Sequence, residues 1–392
     1  MKIIYVAANI KPGSSVYRKI ANQVDYLNEN GIETTGLIYS TKFGEEQSTR
    51  NITYKLVSLE NNKTFFKNVC KSNMLSKIIK EDLKTQTFDY LFLRHLGASY
   101  NYLKLISYFN KKIFLYIPSN IVAEKFQEKK VSDYVSVAST FFKWLEYFID
   151  TYISYLIFYS FYIHKTRAVV AYTPELCSVI KSKSLYNVKT IYNRDGAEFE
   201  NIRVRKLKNN EEYYKLIFLK GSSTKQPWSG LDRLINSIEE DSEIKKKVKL
   251  YICGNVIDKE NYNYDFIELK GYLSGKELDD LIDEIDLGVS NLANYLIGLN
   301  ETTQLKSREY FVRGLPFIQS ISMPDVDRTP MEKYYLKLPN DNSLIDMKKI
   351  ISFIDVMRKD YDHPTKMNIL AKENLSWKAT VKELAISIKE LD

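Results

Sequence analysis

At 392 residues the chain is longer than one ordinary core organises and suits two domains of roughly 150–200 residues each. Hydrophobic residues make up 44% and charged residues 27%, which excludes a disordered or fibrous chain. The net charge of +8 is uneven: 27 Lys+Arg against 18 Asp+Glu through Glu200 gives +9, and 30 against 31 beyond it gives −1.

A basic first half fits an anionic membrane surface or a phosphate-bearing acceptor, and equally a generally basic surface. No nucleic-acid-binding module is visible, so nucleic acid is not expected as a partner. Cys70, Cys177 and Cys253 are widely spaced and odd in number, forming neither a disulfide framework nor a metal-ligand pattern. Cys253, in an apolar run, reads as a buried free thiol. Met1 leads straight into a strand without a signal-peptide layout, so a reducing cytoplasm is the expected compartment.

Short apolar runs alternate with helical periodicity along the chain, the pattern of parallel sheets covered by helices. In the first half, strands are predicted at Ile3–Val6, Thr35–Tyr39, Tyr90–Arg94, Ile113–Ile117, Ala168–Ala171 and Thr190–Tyr192. A first helix should follow the Gly13-Ser14-Ser15 loop, with Ile20, Val24 and Leu27 on one face. From Phe141 to Ile163 the chain is dense in aromatics. Its uncharged part, Thr151–Ile163, is too short to span a bilayer. Lys143, Glu146 and Asp150 mark a polar stripe there. The segment reads either as a helix packed in the first domain or as one lying in a membrane interface, where Trp and Tyr are favoured.

The polar stretch Glu198–Glu212 is the expected boundary, dividing 1–200 from 201–375, with a closing helix over 376–392. The second domain should hold strands at Leu216–Leu219, Lys249–Cys253, Phe266–Leu269, Leu287–Val289 and Leu315–Gln319. Helices are expected around Leu231, Leu234, Ile235 and Ile238, then around Leu278, Leu281, Ile282 and Ile285. The latter opens on Ser274-x-x-Glu277 as a capping box. A last helix carries Met347, Ile350, Ile351 and Ile354. Ligands of such a doubly wound domain are expected beyond the carboxyl ends of its strands.

One segment there carries chemistry: N-E-T-T-Q-L-K-S-R-E-Y-F-V-R-G-L-P-F, Asn300 to Phe317. A helix beginning near Thr303 presents unpaired amides and partial positive charge to an anion. Gly314 suits the left-handed residue that ends it. Glu301 and Glu309 flank the helix start. One carboxylate there can accept from two adjacent ribose hydroxyls while the other touches a sugar. The plain alternative is a pair of solvated surface acids, since spacing alone carries little.

In context, Glu-x7-Glu followed by Leu-Lys-x-x-Glu-Tyr-x-x-x-Gly-x-Pro resembles the donor-binding element of retaining glycosyltransferases of family 4, of the polysaccharide-assembly type, with the GT-B fold. Lys220-Gly221, the W-x-G-x-D-R-L-I run Trp228–Ile235, Tyr251-Ile252-Cys253-Gly254 and Leu269-Lys270-Gly271-Tyr272-Leu273 match in the expected order. Ser376-Trp377 precedes a final helix like the family's helix that crosses back to the first domain. The resemblance spans the chain and is specific from about Lys215 to Phe317.

That resemblance implies an α/β fold of two doubly wound Rossmann-like domains facing across a cleft, the first binding acceptor and the second a nucleoside-diphosphate sugar. It implies that Glu309 binds ribose and that Glu301 meets the donor sugar. The backbone of Thr302, Thr303, Gln304 and Leu305 would meet the diphosphate or sugar. Gly221 would let the backbone approach the phosphates, Ser222, Ser223 and Gly254 would also belong to the donor site, and Tyr272 and Leu273 would border the base. Gly13, Ser14 and Ser15 would face the donor from the first domain. Transfer would proceed with retention and no covalent enzyme intermediate, and neither metal nor other cofactor is expected. Where the family carries a phosphate-gripping Arg and Lys, this chain has Ser223 and Trp228-Ser229. Lys225, Lys306 or Arg308 would have to supply the charge. His95 is the histidine expected near the cleft, and Asp325-Val326-Asp327 only superficially resembles a metal motif.

The implied activity is transfer of a hexose, from a UDP-sugar by preference, to a growing lipid-linked glycan for capsule, exopolysaccharide or cell-wall polymer, at the cytoplasmic face of a membrane. Two readings on the same fold compete with it: a non-catalytic glycan- or nucleotide-binding partner of another transferase, and a nucleotide-sugar epimerase.

Overall fold

The computed structural model describes residues 1–42, 51–58, 67–124, 148–200, 202–208, 212–220, 226–256 and 259–392. Among these, residues 1–194 and 380–392 form one compact unit and residues 195–379 a second.

The first unit is built on a seven-stranded parallel sheet. Its strands are β1 (Lys2–Ala8), β2 (Glu33–Ser40), β3 (Ile52–Leu56), β4 (Tyr90–Arg94), β5 (Ile113–Ile117), β6 (Ala168–Ala171) and β7 (Thr190–Tyr192), in the order β3-β2-β1-β4-β5-β6-β7. β5 and β6 are buried at every position, as expected of inner strands covered on both faces. β3 was not among the predicted strands. It is an edge strand of five residues in which only Ile52 and Tyr54 are buried, so its apolar signal is two side chains long. The helix Ser15–Glu29 follows β1 and buries Ile20, Val24 and Leu27 as predicted.

The second unit has a six-stranded parallel sheet: β8 (Tyr214–Leu219), β9 (Val248–Cys253), β10 (Ile267–Gly271), β11 (Leu287–Val289), β12 (Phe317–Gln319) and β13 (Tyr335–Lys337), in the order β10-β9-β8-β11-β12-β13. β13, a three-residue edge strand, also lay below the reach of sequence periodicity. The helix Leu231–Glu239 buries Leu231, Leu234, Ile235 and Ile238 against β8 and β9. The helix Gly275–Ile282 starts where expected, but Ser274, at φ −151° and ψ 163°, makes no side-chain capping bond. The predicted capping box is therefore not formed. Cys177 and Cys253 are buried and form no disulfide, and burial pushes the Cys253 thiol up to about 11.

Residues 148–162 are helical, alternating π and α turns. Tyr155, Phe158 and Tyr159 are buried in the core of the first unit, while Ile149, Tyr152, Ile153, Leu156, Ile157 and Phe161 are exposed. This stretch is packed in the first unit on one face, as the first of the two readings expects, and its other face is apolar and exposed. Lys143 and Glu146 lie outside the described residues. No helix among those described is long and apolar enough to cross a membrane.

Candidate active site

In both sheets the chain turns back between the first and fourth strands of the unit, β1/β4 and β8/β11. At such a switch point the loops leaving two neighbouring strands diverge, opening a crevice beyond their carboxyl ends. In the second unit that places Lys220 and residues 226–230 on one side and 290–304 on the other. Two backbone bonds join the sides, from Leu292 N to Ser229 O at 2.9 Å and from Ala293 N to Trp228 O at 3.1 Å. Gly230 sits at φ +64°, and a Cβ there would lie 2.8 Å from the Leu292 carbonyl carbon. Arg233 completes the seam, donating to the carbonyls of Leu292 (2.7 Å), Pro339 (2.9 Å) and Ser343 (2.7 Å). The W-x-G-x-D-R-L-I run is thus a scaffold that fixes the crevice floor. Beside it, Gly254 (φ +120°) brings its backbone so close to Lys220 that a Cβ would meet the Lys220 carbonyl oxygen at 2.3 Å.

The Asn300–Phe317 segment follows β11 into this crevice. Glu301 forms an isolated parallel bridge with Ser322, anchored by Thr302 N to Ser322 O and Ser322 N to Asn300 O, both 2.9 Å. The helix is Leu305–Arg313, preceded by Gln304 at the N-cap position without a side-chain capping bond and ended by Gly314 at φ 70°. It begins later than Thr303, and this changes which amides face a ligand. The Thr302 amide is spent on Ser322 and the Gln304 amide on the Thr302 hydroxyl at 3.2 Å. The amides of Leu305, Lys306 and Ser307 occupy the first turn, where no intrahelical acceptor exists.

A buried relay, invisible to spacing arguments, holds that turn in place. Gln304 Nε2 donates to Ser290 Oγ at the end of β11. Ser290 and Ser307 hydroxyls lie 3.0 Å apart, and Ser307 Oγ donates to Gln319 Oε1 on β12 at 3.0 Å. Tyr310 lies flat under Gly288, its hydroxyl donating to the carbonyls of Val289 (3.0 Å) and Ile217 (3.3 Å). The helix is therefore pinned to β8, β11 and β12 together.

Arg308 does not contribute charge to the crevice. Its guanidinium, 1% exposed, pairs with Asp325 at 2.5 Å and donates from Nε to Asp195 O at 3.1 Å. Asp195 N in turn donates to Thr303 Oγ1 at 3.2 Å. The Asp325-Val326-Asp327 run is likewise engaged internally: Asp327 accepts from the Tyr335 hydroxyl.

Glu309 is one-third exposed and accepts from Arg313 Nε at 3.0 Å. Arg313 also pairs with Asp279. Lys306 is the distinctive cation. Its Nζ lies 3.9 Å from the centre of the Phe218 ring on β8, and no carboxylate pairs with it among the described residues. Burial pushes it down to about 7 from 10.5. Tyr272 is 73% exposed after β10, with Leu273 partly buried beside it. Gly221, Ser222, Ser223 and Lys225 lie outside the described residues.

In the first unit, Gly13 (φ +71°) has open space around it, and Ser14 caps the helix Ser15–Glu29 by accepting from Tyr17 N at 3.2 Å. His95, after β4, commits both ring nitrogens: Nδ1 to the Tyr102 hydroxyl at 2.9 Å and Nε2 to the Tyr155 hydroxyl at 3.1 Å. In this arrangement it has the surroundings of a satisfied structural histidine and offers no nitrogen to a substrate.

No family model matches the chain, and no curated protein matches it in sequence. Solved structures match over its full length. A sucrose-phosphate synthase from Thermosynechococcus elongatus is 11% identical with a TM-score of 0.66, covering 100% of this chain and 99% of that one. The lipopolysaccharide outer core galactosyltransferase WaaB, apo form, is 12% identical with a TM-score of 0.60, covering 99% and 100%. Anabaena HepE in complex with UDP and glucose is 11% identical with a TM-score of 0.59, covering 100% of each chain. These likenesses establish the fold: two Rossmann-like α/β units of the GT-B type in one chain.

Proposed function

We propose that this protein is a retaining glycosyltransferase that moves a hexose from a nucleoside-diphosphate sugar, with UDP favoured, to a growing lipid-linked glycan of a capsule, exopolysaccharide or cell-wall polymer. The observation that carries this reading is the helix Leu305–Arg313 at the β8/β11 switch point, with Glu301 before it, Lys306 in its first turn and Glu309 within it. UDP complexes of a protein with the same fold support the choice of base. The exposed apolar face over residues 148–162 supports a peripheral site on the inner face of the cell membrane, next to a lipid-linked acceptor.

On this reading, the diphosphate rests on the amides of Leu305 to Ser307 and beside Lys306. Glu309 accepts from the ribose hydroxyls and Glu301 from the sugar. The acceptor oxygen bonds to the anomeric carbon on the face the diphosphate leaves. The bond from that carbon to phosphate oxygen breaks, and the acceptor's proton passes to the departing diphosphate. Charge develops on the leaving group, so fixed amides and a cation matter more than a general base, and no metal is called for. The test is a donor panel offered with vesicle-borne glycan acceptors, reading product stereochemistry by NMR. Transfer with retention supports the proposal. Donor binding with neither transfer nor hydrolysis favours the non-catalytic partner, and epimerised free donor favours the epimerase.

Lys306 gives a second check. With its folded value near 7 and its ordinary value 10.5, the unfolded chain holds more protons between those limits. Stability therefore rises with pH across that window, and Lys306→Met is expected to flatten the slope, measured by denaturant midpoints at pH 7 and 10. A diphosphate beside Lys306 favours the ammonium, so UDP binding at pH 8 should take up protons in wild type and fewer in Lys306→Met. Calorimetry in buffers of different ionisation enthalpy reads this. Equal uptake in both proteins would place the phosphates elsewhere.

A further inference from the structure

A second feature of the first unit lies at the opposite end of its sheet from any Rossmann-type ligand. Lys111, Arg167 and Lys189 each precede a strand, respectively β5, β6 and β7, so the parallel topology gathers them at the strands' amino ends. Together with His164, Thr166 and Asn187 they line a cavity of about 180 Å³ that contains no carboxylate among its lining residues.

Its polar groups are incompletely satisfied. His164 Nδ1 and Arg167 Nε are buried with no hydrogen-bond partner among the described residues. Buried donors left unpaired are costly, and in native proteins such atoms ordinarily meet a ligand, ion or water. Arg167 spends one terminal amino group on the carbonyls of Leu391 and Asp392. Lys111 Nζ donates to the carbonyls of His164 at 2.5 Å and Thr166 at 3.5 Å, which leaves one ammonium proton for a ligand. Lys111 also holds φ +60°, a conformation that costs a side-chain-bearing residue free energy and is usually given to Gly or Asn. Three cations converging on unpaired nitrogens, with no acid among the lining residues, form an arrangement complementary to a tetrahedral oxyanion.

We propose that this cavity binds a phosphate-bearing anion, either a soluble phosphate ester or an anionic lipid headgroup. The site stands apart from the β8/β11 crevice and does not depend on the reading of that crevice. Burial, then the neighbouring Lys111 and Lys165, hold His164 below its ordinary value, so an arriving anion should raise it.

The chain has only three histidines, which makes proton NMR of the full-length protein a direct probe. The His164 ring signal is assigned by its loss in His164→Gln. Titrating inorganic phosphate against chloride at matched ionic strength should shift that signal saturably in the direction of protonation. Lys189→Glu should weaken the affinity about tenfold. Lys189 is exposed and its side chain makes no hydrogen bond or ion pair among the described residues, so this variant should fold normally. Flotation with phosphatidic acid vesicles against neutral phosphatidylcholine vesicles separates the two sources. A phosphate-driven shift weakened by Lys189→Glu supports a soluble ester. Flotation lost in Lys189→Glu, without a phosphate shift, supports a headgroup. If neither ligand binds, or if both bind Lys189→Glu as they bind wild type, the proposal is overturned.

Discussion

Glu309→Ala is expected to lower donor affinity by about 3 kcal/mol, on the order of 100-fold, because two hydrogen bonds from ribose to a charged acceptor are lost together. The fold should survive the change. Glu309 is one-third exposed, and its only ion pair among the described residues is the i,i+4 contact with Arg313, which keeps Asp279. Arg313 is buried, but its pair with Asp279 leaves it a counter-charge when Glu309 is removed. Titration calorimetry with UDP and with UDP-sugars measures the effect, and Glu309→Gln separates charge from shape. An alanine variant that binds UDP as wild type does would remove the ribose assignment, and with it the main support for the transferase reading.

The second large effect concerns stability. Asp325→Ala should destabilise the second unit by about 3–5 kcal/mol, because it leaves the Arg308 guanidinium buried without its counter-charge. The loss should reach the ligand as well. Arg308 holds Asp195 through its carbonyl, and Asp195 holds the Thr303 hydroxyl just before the helix start. Chemical denaturation followed by the tryptophans of this unit reads the first effect, and UDP affinity reads the second. Adding Arg308→Met to Asp325→Ala should recover part of the stability, since no unpaired charge is then buried. If Asp325→Ala alone unfolds like wild type, the pair is not buried in solution as described.

Much of this was legible in the chain itself. Eleven of the thirteen strands among the described residues were anticipated, most because they carry three or more consecutive apolar residues or a clear alternation. The two missed, β3 and β13, are short edge strands with one polar face or little length. The ends of the helix Leu305–Arg313 show the limits of sequence reading. Gly314 marked its stop because a left-handed position favours glycine, whereas its start was set two residues beyond Thr303 by hydrogen bonds to Ser322 and within the loop. The Ser290–Ser307–Gln319 relay had no signal, since polar residues 12 to 17 positions apart say nothing until a fold brings them together.

Arg308 and Lys306 make the same point from two sides. Both were charged candidates on one helix turn. Only the packing sends Arg308 inward to Asp325 and lays Lys306 on Phe218.

The sequence by itself determined the alternation of parallel strands and helices and the glycine that ends the helix, and it singled out the segment proposed to bind the donor, because periodicity and backbone conformation are local properties. Tertiary structure decided which amides face the crevice, which cation is desolvated and which histidine is already satisfied. Those depend on distances between residues far apart in the chain, and no local pattern encodes them.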